Sequence, residues 1–428
     1  MSSLFSAIAG ISLAPLLLSG VPIAFSILAA CIIYMGIQGM DPSTPGSTMF
    51  WFLNSSSLVS IPFFILAAEI LSRSGATDAL VGASNALFGR VRNGLALVTV
   101  ISVLVFSAIS GSSVATAVAI GRVMIPKLIE NGYQQRFAIG LVAASGGLGI
   151  LIPPSVPLIV YAAVVEISVS DLFIAAMLPG LMLGLMLCIF VVGLGDSVRS
   201  HYPETVVLND TLQSRRQAVL KGIPMFMFPV VVLGGIYTGI FTPTEAAAVS
   251  VFLSLFLSIT IYKNTNFKAL IDVFARAGTM SATILIIMAA TAVLSFILSY
   301  ERVPNQVTEM IATLDISPLI FLLMINLLLL VMGCFLEIIS VILIIVPIVL
   351  PTLHQLAIDP IHFGIILIIN MELAVITPPI GMNLFVVSAI SHQPIGRVFQ
   401  GAIPFVGIIA IGLMAIVLIP EITTVFIS

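Results

Sequence analysis

Two proline pairs, Pro153-Pro154 and Pro378-Pro379, are the residues of this chain best suited to expose backbone oxygens to a ligand. Each pair follows a single proline, Pro126 or Pro351, by 27 residues, and one offset of 225 relates both landmarks. Proline lacks an amide hydrogen and displaces the carbonyl one turn earlier, so a helix opens where two stand together. The carbonyls freed at Gly149, Ile152, Ala374 and Thr377 need partners, and a hard monovalent cation is a suitable one. Hydroxyls of Ser110, Ser112 and Thr377 can support it. The competing reading is a kinked helix beside a Ser-rich turn, which is common in membrane helices. A second copy of the whole pattern, hairpin, proline and double proline, tells against it.

The elements that must position these residues are apolar throughout. Of 428 residues, 60% are hydrophobic and only 8% are Asp, Glu, Lys or Arg, against about 25% in soluble domains. So few charges cannot clothe a water-exposed surface, which excludes a soluble enzyme, a nucleic-acid binder and a disordered scaffold. The net charge of −3 points to no partner. Cys31, Cys188 and Cys334 lie apart in apolar runs and read as small packing residues. No signal-peptide cleavage site follows the N-terminal run. A bilayer core of about 30 Å takes roughly 20 apolar residues per helix. Runs near 4–37, 51–72, 137–165, 171–195, 223–262, 279–299, 361–391 and 401–420 qualify. The break at 234–239 splits one run into two helices, the second opened by the capping box Thr242-Pro243-Thr244-Glu245. The chain is therefore read as an all-α polytopic membrane protein, since a barrel would show ten-residue alternation.

Lys and Arg mark the cytoplasmic side. Arg73, Arg90 and Arg92 fall in one connection, Arg122, Lys127 and Arg136 in the next, then Arg199, Arg215, Arg216 and Lys221, then Lys263, Lys268 and Arg276. Connections 38–50, 166–170 and 236–244 hold none. The C-terminus falls on the non-cytoplasmic side, and the N-terminal side stays open because 4–37 can break at Gly20-Val21-Pro22. Residues 94–128 and 318–351 each hold two stretches too short for a full crossing, interrupted at Ser110-Gly111-Ser112-Ser113 and around Gly333 to Glu337. These are predicted re-entrant hairpins, which survive at membrane depth only when buried in protein or lining water. Basic flanks bring the first in from the cytoplasm, and bare flanks bring the second in from outside. Inverted-topology repeats with re-entrant or broken helices are the construction of secondary transporters with a midplane site. The tips also present helix N-termini, which suit an anionic group. Amphipathic stretches 76–92 and 264–277 are expected as surface helices at corresponding positions of the two halves.

Other chemistries fit less well. Gly193-Leu194-Gly195-Asp196 matches the motif of intramembrane aspartyl proteases, but Asp196 stands at a span exit with no second buried Asp to share its site. Ser110 has no base placed for nucleophilic work, because His201, His354, His362 and His392 fall in connections or near span ends. Glu69, Glu337 and Glu372 lie in apolar runs, so a proton-coupled carrier is the rival mechanism. Glu69 has the plain alternative of pairing with Arg73, and Glu245 that of capping a helix.

Over essentially its whole length the sequence resembles the large membrane subunit of tripartite ATP-independent periplasmic (TRAP) transporters, the DctM-like family. The resemblance is carried by Ser60-Ile61-Pro62-Phe63-Phe64, Ala67-Ala68-Glu69, Ser110-Gly111-Ser112, Ile152-Pro153-Pro154-Ser155, Leu178-Pro179-Gly180, Gly239-Ile240-Phe241-Thr242-Pro243-Thr244-Glu245 and Thr377-Pro378-Pro379-Ile380-Gly381. It implies an elevator-type, sodium-coupled importer of an organic acid, of the C4-dicarboxylate or sialic acid class, with sialic acid the lean, in the bacterial inner membrane. It implies a single membrane unit, 1–428, with transport-domain halves at 94–165 and 318–391 and scaffold and arms elsewhere. Its partners would be a small four-helix membrane subunit and a periplasmic substrate-binding protein, with Na+ as coupling ion and no cofactor. One sodium site would use Ser110, Ser112, Gly149, Ile152 and Pro154, and a second Gly333, Ala374, Thr377 and Ile380. The family commonly has glycine where this chain has Ala374, a change that a carbonyl ligand tolerates. Ser113 and Asn383 are the expected substrate contacts. A stand-alone divalent-anion symporter, proton- or sodium-coupled, is the alternative, although its Ser-Asn-Thr signatures are missing.

Overall fold

A computed structural model of the chain describes residues 15–16, 19–199, 212–263 and 267–427. The N-terminal part of the 4–37 run, His201 and residues 264–266 lie outside this set. Among the described residues the chain is helical, with one isolated bridge between Tyr133 and Arg199. Among the described residues seven helices are long and apolar enough to cross a membrane. The shorter apolar helices include Gly94–Ser110, Val156–Val165, Pro318–Gly333, Pro360–Ala374 and Met382–Ser391, each a half of a hairpin or of a proline-broken helix. Ile338–Gln355 departs from the sequence expectation: it is half of the second hairpin, yet it is long and apolar enough to count among the seven.

The hairpins are Gly94–Ser110 with Ser113–Glu130, and Pro318–Gly333 with Ile338–Gln355. After each comes a broken helix: Gln135–Gly147 with Val156–Val165, and Pro360–Ala374 with Met382–Ser391. The Pro153-Pro154 and Pro378-Pro379 bonds within the breaks are cis. Ser113–Glu130 and Ile338–Gln355 are both 18 residues long and stand 225 apart at both ends. Gln135 and Pro360 begin the broken helices at the same offset. The packing carries the same symmetry. Ser113–Glu130 packs on Met382–Ser391 of the other half, and Ile338–Gln355 packs on Val156–Val165. Each hairpin is thus completed by the other half's broken helix.

Three further expectations change. The run 51–72 is divided: Thr44–Leu53 ends at Asn54, and a 3-10 turn Ser56–Val59 leads into Ser60–Arg73. The polar string Asn54-Ser55-Ser56-Ser57 explains this, because such side chains compete for the backbone hydrogen bonds of a helix. Residues 264–277 do not form a separate surface helix. From residue 267 they are the first part of Phe267–Tyr300, a 34-residue helix that continues through the predicted span. Nor does that stretch correspond to Ala76–Phe88. The helix at offset 225 is Val303–Thr313, whose end at Thr313 matches Phe88; it packs on Ile338–Gln355 of the second hairpin, whereas Ala76–Phe88 packs chiefly on Gly94–Ser110 of the first.

The capping box at Thr242 is present in full. Thr242 Oγ1 accepts from the Glu245 amide at 3.3 Å, and Glu245 Oε2 accepts from the Thr242 amide at 2.9 Å. Thr242→Ala should cost about 1 kcal/mol, read as a lowered unfolding temperature of the detergent-solubilised chain with no change in its ion dependence.

Candidate functional site

The two hairpin tips and two proline breaks meet around one cavity of about 430 Å³. Ser110, Ser112 and Ser113 line it from the first tip, Gly333 and Glu337 from the second, and Ile380 from the second break. Thr279 and Thr283 of the long Phe267–Tyr300 helix also line it.

At the first break the hairpin tip meets the broken helix at Gly149 and Pro154. A Cβ on Gly149 would fall 2.7 Å from the Ser112 carbonyl oxygen, so the broken helix lies directly against the hairpin tip. A Cβ on Gly111 would fall 2.6 Å from the Pro154 carbonyl oxygen, and Gly111 takes φ +57°, so only glycine suits this close approach. Ser112 is the N-cap of Ser113–Glu130, its Oγ accepting from the Ala115 amide at 3.4 Å. Gly149, Ile152 and Pro154 are buried, while Ser112 is half-buried and lines the cavity. Ile152 rests on the backbone of Gly180, where a Cβ would approach its Cγ1 to 3.1 Å. Thr116 belongs to the same cluster although sequence reading passes over it. Its Oγ1 lies 2.7 Å from Ser110 Oγ and would be 2.9 Å from a Cβ on Gly149. The available signal was position: Thr116 is four residues after Ser112, on the same face of the helix.

The second break is built alike but is more open. A Cβ on Gly333 would touch the Ala374 methyl at 2.6 Å, which ties the second tip to its break. Ala374 is fully buried, Thr377 half-buried and Ile380 exposed. Thr377 Oγ1 donates to the Leu373 carbonyl at 2.6 Å, leaving its lone pairs for a ligand. Glu337, the N-cap of Ile338–Gln355, stands 225 residues after Ser112, so a carboxylate takes the place of the first tip's hydroxyl.

The remaining candidates separate clearly. Ser113 lines the cavity, but Asn383 does not; it is fully buried, with its amide donating to the Ala143 carbonyl at 3.3 Å. Glu69 pairs with Arg73 at 2.9 Å, one helical turn away, although it also borders the cavity. The polar groups that line the cavity are backbone, hydroxyls and single carboxylates. Such a set favours hard cations.

Residues 11–422 match the family described as tripartite ATP-independent periplasmic transporter, DctM component. The chain is 39% identical over 367 residues to the C4-dicarboxylate TRAP transporter large permease protein DctM of Pseudomonas aeruginosa, covering 86% of this chain and 85% of the relative. It is 31% identical to the sialic acid TRAP transporter large permease protein SiaM of Vibrio cholerae, covering 95% of each. Among solved structures, the Alcanivorax borkumensis YdaH transporter matches with a TM-score of 0.63 at 13% identity, over 89% of this chain and 88% of that one, a likeness of fold. The relatives are named as transporter permeases rather than enzymes.

Proposed function

This chain belongs to the DctM component family of tripartite ATP-independent periplasmic transporters, and from that premise we propose that it imports an organic acid anion across the bacterial inner membrane by sodium coupling. It is a multi-pass membrane protein and a large permease subunit. The observation that carries the coupling is the contact of Ser112 with Gly149 at the first break. At the second, Gly333 touches Ala374, whose carbonyl is not free as the sequence suggests but accepts from the Thr377 amide at 3.1 Å, and both breaks border one cavity. Two carbonyl-rich openings without a basic partner offer what a desolvated sodium ion needs. The pairing of each hairpin with the other half's broken helix supports an inverted repeat, in which 94–165 and 318–391 move together as a transport domain against the remaining helices. The solute would occupy the cavity between the tips, held by helix N-termini and by Ser113 rather than by arginine. A small C4-dicarboxylate is favoured over sialic acid, because the relative named for the former shares more of the sequence. A small membrane subunit and a periplasmic binding protein would complete the system.

Reconstitution of the chain with these partners in proteoliposomes tests the reading. Uptake should require an inward sodium gradient, and Ser112→Ala and Thr377→Ala should each raise the sodium concentration for half-maximal uptake while the complex still assembles. Equal uptake in sodium-free buffer under a pH gradient would hand coupling to protons. Glu337, half-buried in the cavity wall, favours that second reading and would be the group to replace next.

A further inference from the structure

The carboxylate of Glu372 is the strongest polar group that the two openings leave unused. It sits fully buried in Pro360–Ala374, and neither of its oxygens has a hydrogen-bond partner. Burying a carboxylate without a partner is among the costliest things a protein can do. Its stem lies on the bare backbone of Gly147, where a Cβ would fall 2.6 Å from Glu372 Cγ and 3.3 Å from its Oε1. Gly147 and Glu372 stand 225 residues apart, so the contact joins equivalent positions of the two broken helices and marks where they cross. Gly147 precedes Gly149 by two residues, as Glu372 precedes Ala374. The carboxylate therefore sits where the two broken helices touch, and Glu372 is not among the residues that line the cavity.

Asn383 reaches the same turn from beyond the second break. Its Nδ2 donates to the Ala143 carbonyl, one turn before Gly147, and its Oδ1 is buried with no partner. Two side chains with unpartnered buried oxygens, a carboxylate and a carboxamide, thus pack on one helical turn, Ala143 to Gly147. Their chemical complement is a desolvated hard cation.

We propose that Glu372 holds a third monovalent cation at the crossing of the broken helices, with Asn383 Oδ1 as a second ligand. The site rests on the reading of the chain as a sodium-coupled transporter and is separate from the two carbonyl openings. Radiolabelled sodium bound at equilibrium to the purified full-length chain tests it. Glu372→Gln should bind one ion fewer per chain than the parent, and Glu372→Asp should keep the ion with affinity weakened about tenfold. Ser112→Ala should weaken a different ion. Absence of sodium binding to the parent chain would overturn the coupling reading and this site with it. Undiminished binding by Glu372→Gln, with Ser112→Ala weakened, would overturn this site alone. So would an infrared band of a protonated carboxylic acid that persists in saturating sodium and is lost in Glu372→Gln. If Glu372→Gln does not fold, Asn383→Ala decides: one ion weakened about tenfold is expected, and unchanged binding refutes the site.

Discussion

Gly149→Ala should raise the sodium requirement for uptake by roughly 10- to 100-fold while leaving a folded chain in the membrane. The added methyl would fall 2.7 Å from the Ser112 carbonyl oxygen and 2.9 Å from both Ser112 C and Thr116 Oγ1. Thr116 can rotate, but the Ser112 backbone is fixed at the start of an 18-residue helix. The hairpin tip must then withdraw from the break, and the proposed ligands that face each other across that contact separate. Interiors packed to crystal-like density transmit such a shift rather than absorb it. The mirrored position supplies the control. Ala374 already carries a methyl, and it meets Gly333 instead of a carbonyl. Ala374→Gly should therefore leave sodium dependence close to that of the parent, whereas Gly333→Ala, with its Cβ 2.6 Å from the Ala374 methyl, should disturb the second site as Gly149→Ala disturbs the first. Initial uptake rates against sodium concentration in proteoliposomes separate the three. Parent-like sodium activation in Gly149→Ala would show that the tip and the break share no ion.

The positions of these breaks are legible in the sequence because proline acts locally. Pro153-Pro154 and Pro378-Pro379 interrupt their helices where they stand, and Ser110-Gly111-Ser112 ends one helix and caps the next whatever the tertiary setting. Thr242 is legible for the same reason. What the sequence conceals is set by packing between distant segments. Residues 264–277 carry enough charge to suggest a surface helix, yet no proline or polar string separates them from the following span, and the helix runs on to Tyr300. The true counterpart of Ala76–Phe88 follows from the 225 offset, but the amphipathic pattern of 264–277 draws attention away from Val303–Thr313. Asn383 shows the limit at the level of single residues. Beside a break it reads as a substrate contact, and only the approach of Gln135–Gly147 turns its amide inward to Ala143. Thr116 is the converse, an ordinary mid-helix threonine until Ser110 and Gly149 are brought against it.

Gly401→Ala should be the most destabilising single methyl addition among the sites discussed. Gln135–Gly147 and Ile395–Leu418 cross at Gly140 and Gly401, where the two backbones touch. A Cβ on Gly401 would lie 2.0 Å from the Arg136 carbonyl oxygen, and one on Gly140 would lie 2.1 Å from both C and O of Gly401. These are collisions with main chain on both sides, so no side-chain rotation relieves them. In a bilayer the hydrophobic effect does not drive helices together, and close backbone approach at small residues supplies much of the attraction. Opening the crossing also loosens the small core beside it, in which Val398 and Ala402 pack with Ile139, Val142 and Ala143 and with Leu384 and Val387. Overpacking of this kind costs about 1–3 kcal/mol or more, and loss of the adjoining contacts adds to it. Gly401→Ala should lower the unfolding temperature in detergent well beyond Thr242→Ala, and Gly401→Leu should yield little folded protein. Because Gln135–Gly147 ends at the first break, the surviving Gly401→Ala fraction should also bind sodium more weakly. Unfolding that matches the parent would mean that the two helices can separate freely, and the broken helix would then owe its position to the hairpin alone.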